Sequence, residues 1–252
     1  MTKLTAVIIT LNEERNIDRC IKGLQGVADE IVVVDSLSTD NTKSIAESLG
    51  AKVIDQPFLG HIEQKNFAKN QASYEWVLSL DADEALTPQL AESITNAVSD
   101  PNYDGYKMNR LTNYCGQWIR YSGWYPDTKL RLFKKQAGEW GGTNPHDRFE
   151  LYDGKKAGHL NGDLLHYSFY TREEHYAQIE NFTTIAAHAK WKQGHRSNLI
   201  KLLIKPMAKF IKSFIIKQGF RDGYYGWVIA ITSAEATFMR YSKLLKIQKL
   251  KK

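Results

Sequence analysis

The sequence predicts an α/β fold in which a mostly parallel sheet is flanked by helices and followed by a helical, basic C-terminal extension. Three observations predict it. Short β-branched runs alternate with helical patterns over residues 1–100, the rhythm of parallel βαβ units. Beyond Pro101 the pattern changes to short strands rich in Tyr, Trp, Arg and Gly, which suits an antiparallel addition. From Asn198 onward the chain reads as helical and rich in Lys. With 252 residues, 42% of them hydrophobic, there is enough material for one domain and an appendage.

Each element has a local reason. Residues 4–10 are a short apolar run, read as a fully buried strand, and residues 17–24 follow as a helix. A second strand spans 30–35, and a helix over 41–49 is stopped by Gly50 at its C-terminal end. A third strand covers 51–54, a helix runs from about Ile62 to Gln71, and the strand 76–80 leads to a helix capped by Thr87 with Pro88 in its first turn. These make half of a doubly wound sheet. Strands over 105–111, 129–133 and 148–151 form the antiparallel part. Thr171-Arg172-Glu173-Glu174 is a capping box that opens a helix running to Gly194, with a division of the chain near residue 195.

Composition narrows the function. Six Trp and thirteen Tyr suit flat, hydroxyl-rich ligands such as sugars, which stack on rings. The net charge of +6 and pI near 9.1 favour an anionic partner: a nucleotide, a nucleic acid or an acidic membrane surface. Only Cys20 and Cys115 occur, without metal-type spacing, so neither a disulfide framework nor a zinc site is indicated and a reducing compartment fits. The N-terminal apolar run turns polar at Asn12-Glu13-Glu14-Arg15, too early for a signal peptide. No stretch approaches the ~20 apolar residues of a membrane span. A cytoplasmic protein that can touch the inner membrane is expected. No nucleic-acid-binding motif is present.

Ligands of parallel α/β sheets bind where strands end, because the loops there converge on the crevice between diverging helices. Every acidic cluster of interest lies at such an end: Thr10 to Glu14 after the first strand, Asp35 to Asp40 after the second, Asp81-Ala82-Asp83-Glu84 after the fourth. Alone, an Asp-x-Asp is more often a solvated turn. Here a buried strand runs straight into it and two further polar strand ends accompany it. One carboxylate can then hold a hard cation, Mg²⁺ or Mn²⁺, while the other takes sugar or ribose hydroxyls.

The set Val7 to Glu14, Ile31 to Ser36 with Asp40-Asn41-Thr42, and Leu80 to Glu84 resembles family 2 glycosyltransferases. It is similar in particular to the bacterial lipopolysaccharide-core enzymes of the WaaE type. The likeness continues through Tyr125-Pro126-Asp127, Leu130 to Phe133, Pro145-His146-Asp147, Leu165-His166-Tyr167 and Gly219 to Gly223, and so covers nearly the whole chain.

The resemblance implies the GT-A fold over residues 1–195, with a nucleotide-binding half (1–100) and an acceptor half (101–195), and an extension over 196–252. It implies an inverting, metal-dependent hexosyltransferase that moves a sugar from a nucleotide-sugar, a UDP-sugar first, to a glycan or glycolipid of the cell envelope. Thr10, Leu11 and Glu13 would line the base and ribose pocket, and Asp35 would accept a hydrogen bond from the base. Lys65 would reach the base or diphosphate, unless it is a solvated helical lysine. Asp81 would hold ribose or donor sugar, and Asp83 would ligate the metal. Asp147 takes the position of the general base, although related sequences often carry Glu there; pairing with Arg148 is its structural alternative. His166 would stand on the metal or diphosphate, or serve structure alone. Trp124, Tyr125 and Asp127 are candidates for acceptor contact, Trp124 fitting core packing equally well. Arg131 reads better as a structural ion pair than as an acceptor ligand.

Lys201, Lys205, Lys209 and Lys212 share one stripe of a helix whose other faces are apolar. Such a helix fits an anionic membrane interface, a second copy of the chain or the catalytic domain itself. Pro206 is expected to kink it or start a new helix, and a last helix over 224–246 ends in a lysine-rich tail. Two other functions use a nucleotide pocket. A nucleotidyltransferase ordinarily carries a basic, Gly-rich loop after the first strand, whereas Thr10-Leu11-Asn12-Glu13-Glu14 is acidic. A non-catalytic membrane scaffold would release no UDP from any donor.

Overall fold

The computed structural model describes residues 2–143 and 146–250, and of His146 the backbone alone. Pro145 of the Pro145-His146-Asp147 motif and Lys251 and Lys252 of the basic tail lie outside them. Two compact units form. The first comprises residues 1–110 and 127–167, the second residues 111–126 and 168–252.

In the first unit the expected parallel half is present. Strands β1 (Leu4–Thr10), β2 (Glu30–Asp35), β3 (Lys52–Asp55) and β4 (Trp76–Asp81) lie in the order β3-β2-β1-β4, all parallel. Helices α1 (Ile17–Lys22), α2 (Thr42–Ser48) and α3 (His61–Gln71) connect them. A short strand β5 (Glu84–Leu86) precedes α4 (Pro88–Ser99), where Thr87 Oγ1 accepts from the Leu90 amide as the cap. The antiparallel part holds β6 (Gly105–Tyr114), β8 (Asp127–Lys134), the hairpin β9 (Gly138–Thr143) and β10 (His146–Leu151), and β11 (Ala157–Phe169), while β7 (Gln117–Ile119) belongs to the second unit. β8 pairs antiparallel with both β4 and β6, and β11 with β5, giving the order β4-β8-β6-β11-β5. A parallel half extended by antiparallel strands is the architecture expected of a GT-A fold.

Two apolar clusters sandwich this sheet, one around Ile8, Leu78 and Leu90, the other around Val7, Val77 and Phe133. β11 begins well before the strand end that the sequence places near His166, and Gly162 within it explains part of why its length was not legible. Its φ is 97°, and a Cβ there would stand 2.5 Å from the Leu90 amide nitrogen, so the strand passes the start of α4 with room only for glycine.

In the second unit the end of β6 pairs with β7. Helices α5 (Arg172–Lys192), α6 (Leu199–Ile211) and α7 (Gly223–Leu250) form its body, with α7 packing on both α5 and α6. The Thr171–Glu174 capping box is complete. α5, which the sequence groups with the catalytic domain, shares this unit with α6 and α7. Pro206 neither ends α6 nor starts a new helix; the helix continues through it to Ile211 and into a π-turn over Lys212–Ile216. Leu202, Pro206 and Phe210 lie on one partly buried stripe, so packing offsets the lost backbone hydrogen bond. The Gly219–Gly223 motif is structural: Asp222 accepts from the amides of Arg120 at 3.1 Å and Tyr121 at 2.9 Å, and a Cβ on Gly226 would fall 1.8 Å from the Gly219 carbonyl oxygen.

Candidate active site

The three polar strand ends of the first unit converge because β1 pairs with both β2 and β4. Thr10 stands opposite Asp35, and Ile9 opposite Asp81. The loops that follow are laced together. The Asn12 amide donates to Ser38 Oγ at 2.8 Å, and Asn12 Oδ1 accepts from the Thr39 amide at 2.8 Å. Asp35 is buried and accepts from the amide and hydroxyl of Ser38, at 2.7 and 2.5 Å, so its carboxylate closes its own loop. Asn12 and Leu37 hold left-handed φ values of 54° and 67°. Outside glycine such backbone is uncommon and persists where surrounding contacts over-determine it.

Thr10 is buried, with its hydroxyl lacking a partner among the described residues, and Leu11 is exposed. The Glu13 amide donates to Thr42 Oγ1 at 2.8 Å, and its carboxylate accepts from Asn16 Nδ2 at 2.7 Å. Burial pushes the Glu13 carboxyl up to about 7 against that hydrogen bond, with the negative charges of Asp83 and Asp40 adding to the rise.

Beneath these loops lies a network of buried charge. Arg131 on β8 is 3% exposed, and its Nη2 reaches Asp81 Oδ2 at 2.7 Å and Glu84 Oε1 at 2.9 Å. Glu84 Oε2 accepts from the Asp81 amide at 3.0 Å. Arg110, which the β6–β8 register sets opposite Asp127, joins Glu84 at 3.2 Å and Asp127 at 2.7 Å. Lys65 from α3 stands 3.1 Å from Asp81 Oδ1 and 2.8 Å from Asp147 Oδ2. Its side chain is 4% exposed, so the solvated alternative fails. Trp140 walls this cluster, its ring centroid 4.7 Å from Lys65 Nζ. Burial alone would raise the Asp81 carboxyl, but the charges of Arg131 and Lys65 outweigh it and hold Asp81 well below the usual carboxylate range. Arg131 Nε and Nη1 are buried without a partner among the described residues.

Asp83 lies in the turn between β4 and β5. Because His166 of β11 is in register with Glu84 of β5, its Nε2 comes 3.1 Å from Asp83 Oδ2. Among the described residues no group of three or more His, Cys, Asp or Glu is arranged to hold a metal ion. Mg²⁺ and Mn²⁺ are commonly held by one or two side chains with substrate phosphates completing the shell. Asp83 and His166 are the side chains here that could hold such a cation.

The first unit thus brings together Thr10, Leu11, Glu13, Asp35, Lys65, Asp81, Asp83, Asp127, Asp147 and His166. Trp124 and Tyr125 belong to the second unit. There Trp124 packs edge-on against Tyr114, ring centroids 5.7 Å apart, near Phe169 and His175. Arg120 lies over the Tyr125 ring at 5.5 Å. Arg110, Glu84 and Trp140 were missed as site residues. Glu84 stood inside the quoted motif, but Arg110 and Trp140 carry no local signal and enter only through strand pairing.

Comparison with known proteins gives the site a family context. Residues 5–173 match the model of glycosyl transferase family 2. An uncharacterized glycosyltransferase of Rickettsia typhi is 34% identical over 98% of this chain and 88% of its own length. The lipopolysaccharide core biosynthesis glycosyltransferase LpsC of Rhizobium meliloti is 29% identical over 98% and 94%. Among solved structures, glucosyl-3-phosphoglycerate synthase of Mycobacterium tuberculosis, in complex with Mn²⁺, UDP and glucosyl-3-phosphoglycerate, matches 44% of each chain at 22% identity with a TM-score of 0.38. At that score the likeness assigns no role to any residue here.

Proposed function

The chain belongs to glycosyl transferase family 2 and is an enzyme, and from that premise we propose that it transfers a sugar, with inversion at the anomeric carbon, from a nucleotide-sugar, first a UDP-sugar, to a glycan or glycolipid acceptor of the cell envelope. The observation that carries this reading is the Lys65 ammonium set between Asp81 and Asp147. It puts a donor-side carboxylate, a cation for the leaving group and a candidate base within one cluster. Likeness to LpsC, a lipopolysaccharide core biosynthesis glycosyltransferase, supports a lipopolysaccharide core acceptor.

In the proposed reaction the acceptor hydroxyl attacks the anomeric carbon while the bond to the nucleoside diphosphate breaks. Asp147 takes the hydroxyl proton. Lys65 balances the diphosphate charge, and its transfer from Asp147 to the arriving diphosphate frees the base. Asp81, fixed by Arg131 and Glu84, orients ribose or donor sugar. Thr10, Leu11, Glu13 and Asp35 form the nucleotide side, with Asp35 acting through its loop. A divalent cation on Asp83 and His166 supplies Lewis-acid neutralisation of the diphosphate when bound. Asp127, tied to Arg110, belongs to the acceptor side, and Trp124 and Tyr125 are weaker acceptor candidates. The transfer chemistry is assigned to residues 1–195, the extension to residues 196–252, and the place of action to the cytoplasmic face of the inner membrane.

Asp147→Asn separates binding from transfer. Donor affinity is expected to stay near wild type while transfer falls by about 10²–10⁴, measured by calorimetric donor titration and by product mass. Transfer at the wild-type rate removes Asp147 as the base.

A further inference from the structure

We infer that α6, with the aromatic side chains beside it, is a surface that docks on an anionic phospholipid bilayer. All the residues concerned belong to the second unit. At about 100° per residue, the helix and its π-turn divide into three faces. Leu202, Pro206, Phe210 and Ser213 make the shielded stripe against α7. Leu203, Ile204, Met207, Ile211 and Ile215 make a second face, and each is at least 45% exposed. Lys201, Lys205, Lys209 and Lys212 make the third.

The apolar face continues onto aromatic rings. Phe210 and Phe214 lie 5.3 and 5.4 Å from Trp227, which is itself 46% exposed. Tryptophan with one side apolar and the other wet suits a membrane boundary. Contiguous aliphatic surface of this kind is rarely left in water, so it has an occupant.

Charge selects that occupant. Residues 181–221 hold nine of the 34 Lys and Arg and none of the 28 Asp and Glu, which leaves the rest of the chain net acidic. A second copy seated on this face would set cations against cations; anionic headgroups complement them. Among the described residues no helix is long and apolar enough to cross a membrane. A single apolar face beside a lysine stripe is the pattern of a helix lying in the interface plane.

Flotation of the full chain with vesicles tests this, using phosphatidylcholine alone and an equimolar mixture with phosphatidylglycerol. The chain is expected to float with the anionic vesicles and not with the neutral ones. Lys201→Gln with Lys205→Gln should lower partitioning by about twenty-five-fold, roughly fivefold per charge. Met207→Glu with Ile211→Glu should lower it by at least about tenfold. Both pairs are exposed, so circular dichroism and the thermal midpoint should stay at wild-type values. No flotation, equal flotation of wild type and variants, or a dimer in light scattering that the glutamate pair dissolves would each overturn the inference. Flotation needs neither donor nor acceptor. A chain that floats yet transfers nothing supports this inference while counting against the transfer reading.

Discussion

The charges buried around Arg131 and the aliphatic face exposed on α6 depart from ordinary packing in opposite directions. In the first unit Asp81, Glu84, Lys65 and Arg131 leave water at a desolvation cost, and they are tolerated because each carboxylate meets a cation within 3.1 Å. In the second unit Leu203, Met207 and their neighbours stay in water, and no described residue covers them. One region therefore pairs its charges from within the chain, with a few buried polar atoms left over, among them two nitrogens of Arg131 and the indole nitrogen of Trp140. The other requires an outside surface. Substitution should hurt stability in the first and leave it nearly untouched in the second.

The largest expected effect follows from removing the shared cation. Arg131→Ala removes the cation that joins Asp81 to the buried Glu84, leaving Lys65 and Arg110 as their remaining partners, and is expected to cost about 3 kcal/mol, read as a lowered urea midpoint. A change below about 0.5 kcal/mol would mean the network behaves as a surface one. Next is Glu13, whose carboxyl is raised from 4.5 to about 7 mainly by burial. Across that interval the unfolded chain has released a proton that the folded chain keeps, so stability falls as pH rises from 4.5 to 7. Glu13→Gln should flatten that fall by no more than about 3 kcal/mol, seen by comparing urea midpoints at about pH 5 and about pH 8. An unchanged slope would refute the burial argument. The smallest effect is expected on α6, where Met207→Glu with Ile211→Glu should shift stability by less than about 0.5 kcal/mol while removing flotation.

Legibility in the sequence followed the range of the forces involved. β1, β2 and β4 were readable because continuous apolar runs mark strands buried on both faces, and α4 and α5 because their caps are local. The convergence of Thr10, Asp35 and Asp81 followed from that topology alone. β5 and β9 were not readable: three residues carry no periodicity, and Gly138, Gly141 and Gly142 interrupt any alternation. β11 is long but broken by Gly162 and mixed in polarity. These are the strands that bring His166 to Asp83 and Trp140 to Lys65, so the pairs could be guessed residue by residue but not as contacts. Arg110 was invisible for the same reason, since only strand register sets it opposite Asp127. For Trp124 the sequence left acceptor contact and core packing equally open, and its ring packs in the aromatic cluster of the second unit.

The central claim is metal-assisted transfer from a nucleotide-sugar at the Asp81–Asp83 turn. It is tested most directly by UDP release and product mass across a panel of UDP-sugars with Mn²⁺, for wild type and Asp83→Ala. Metal-dependent release is expected with at least one donor, reduced by about 10²–10³ in the variant. Full activity in Asp83→Ala, or no metal-dependent release from any donor, would contradict it.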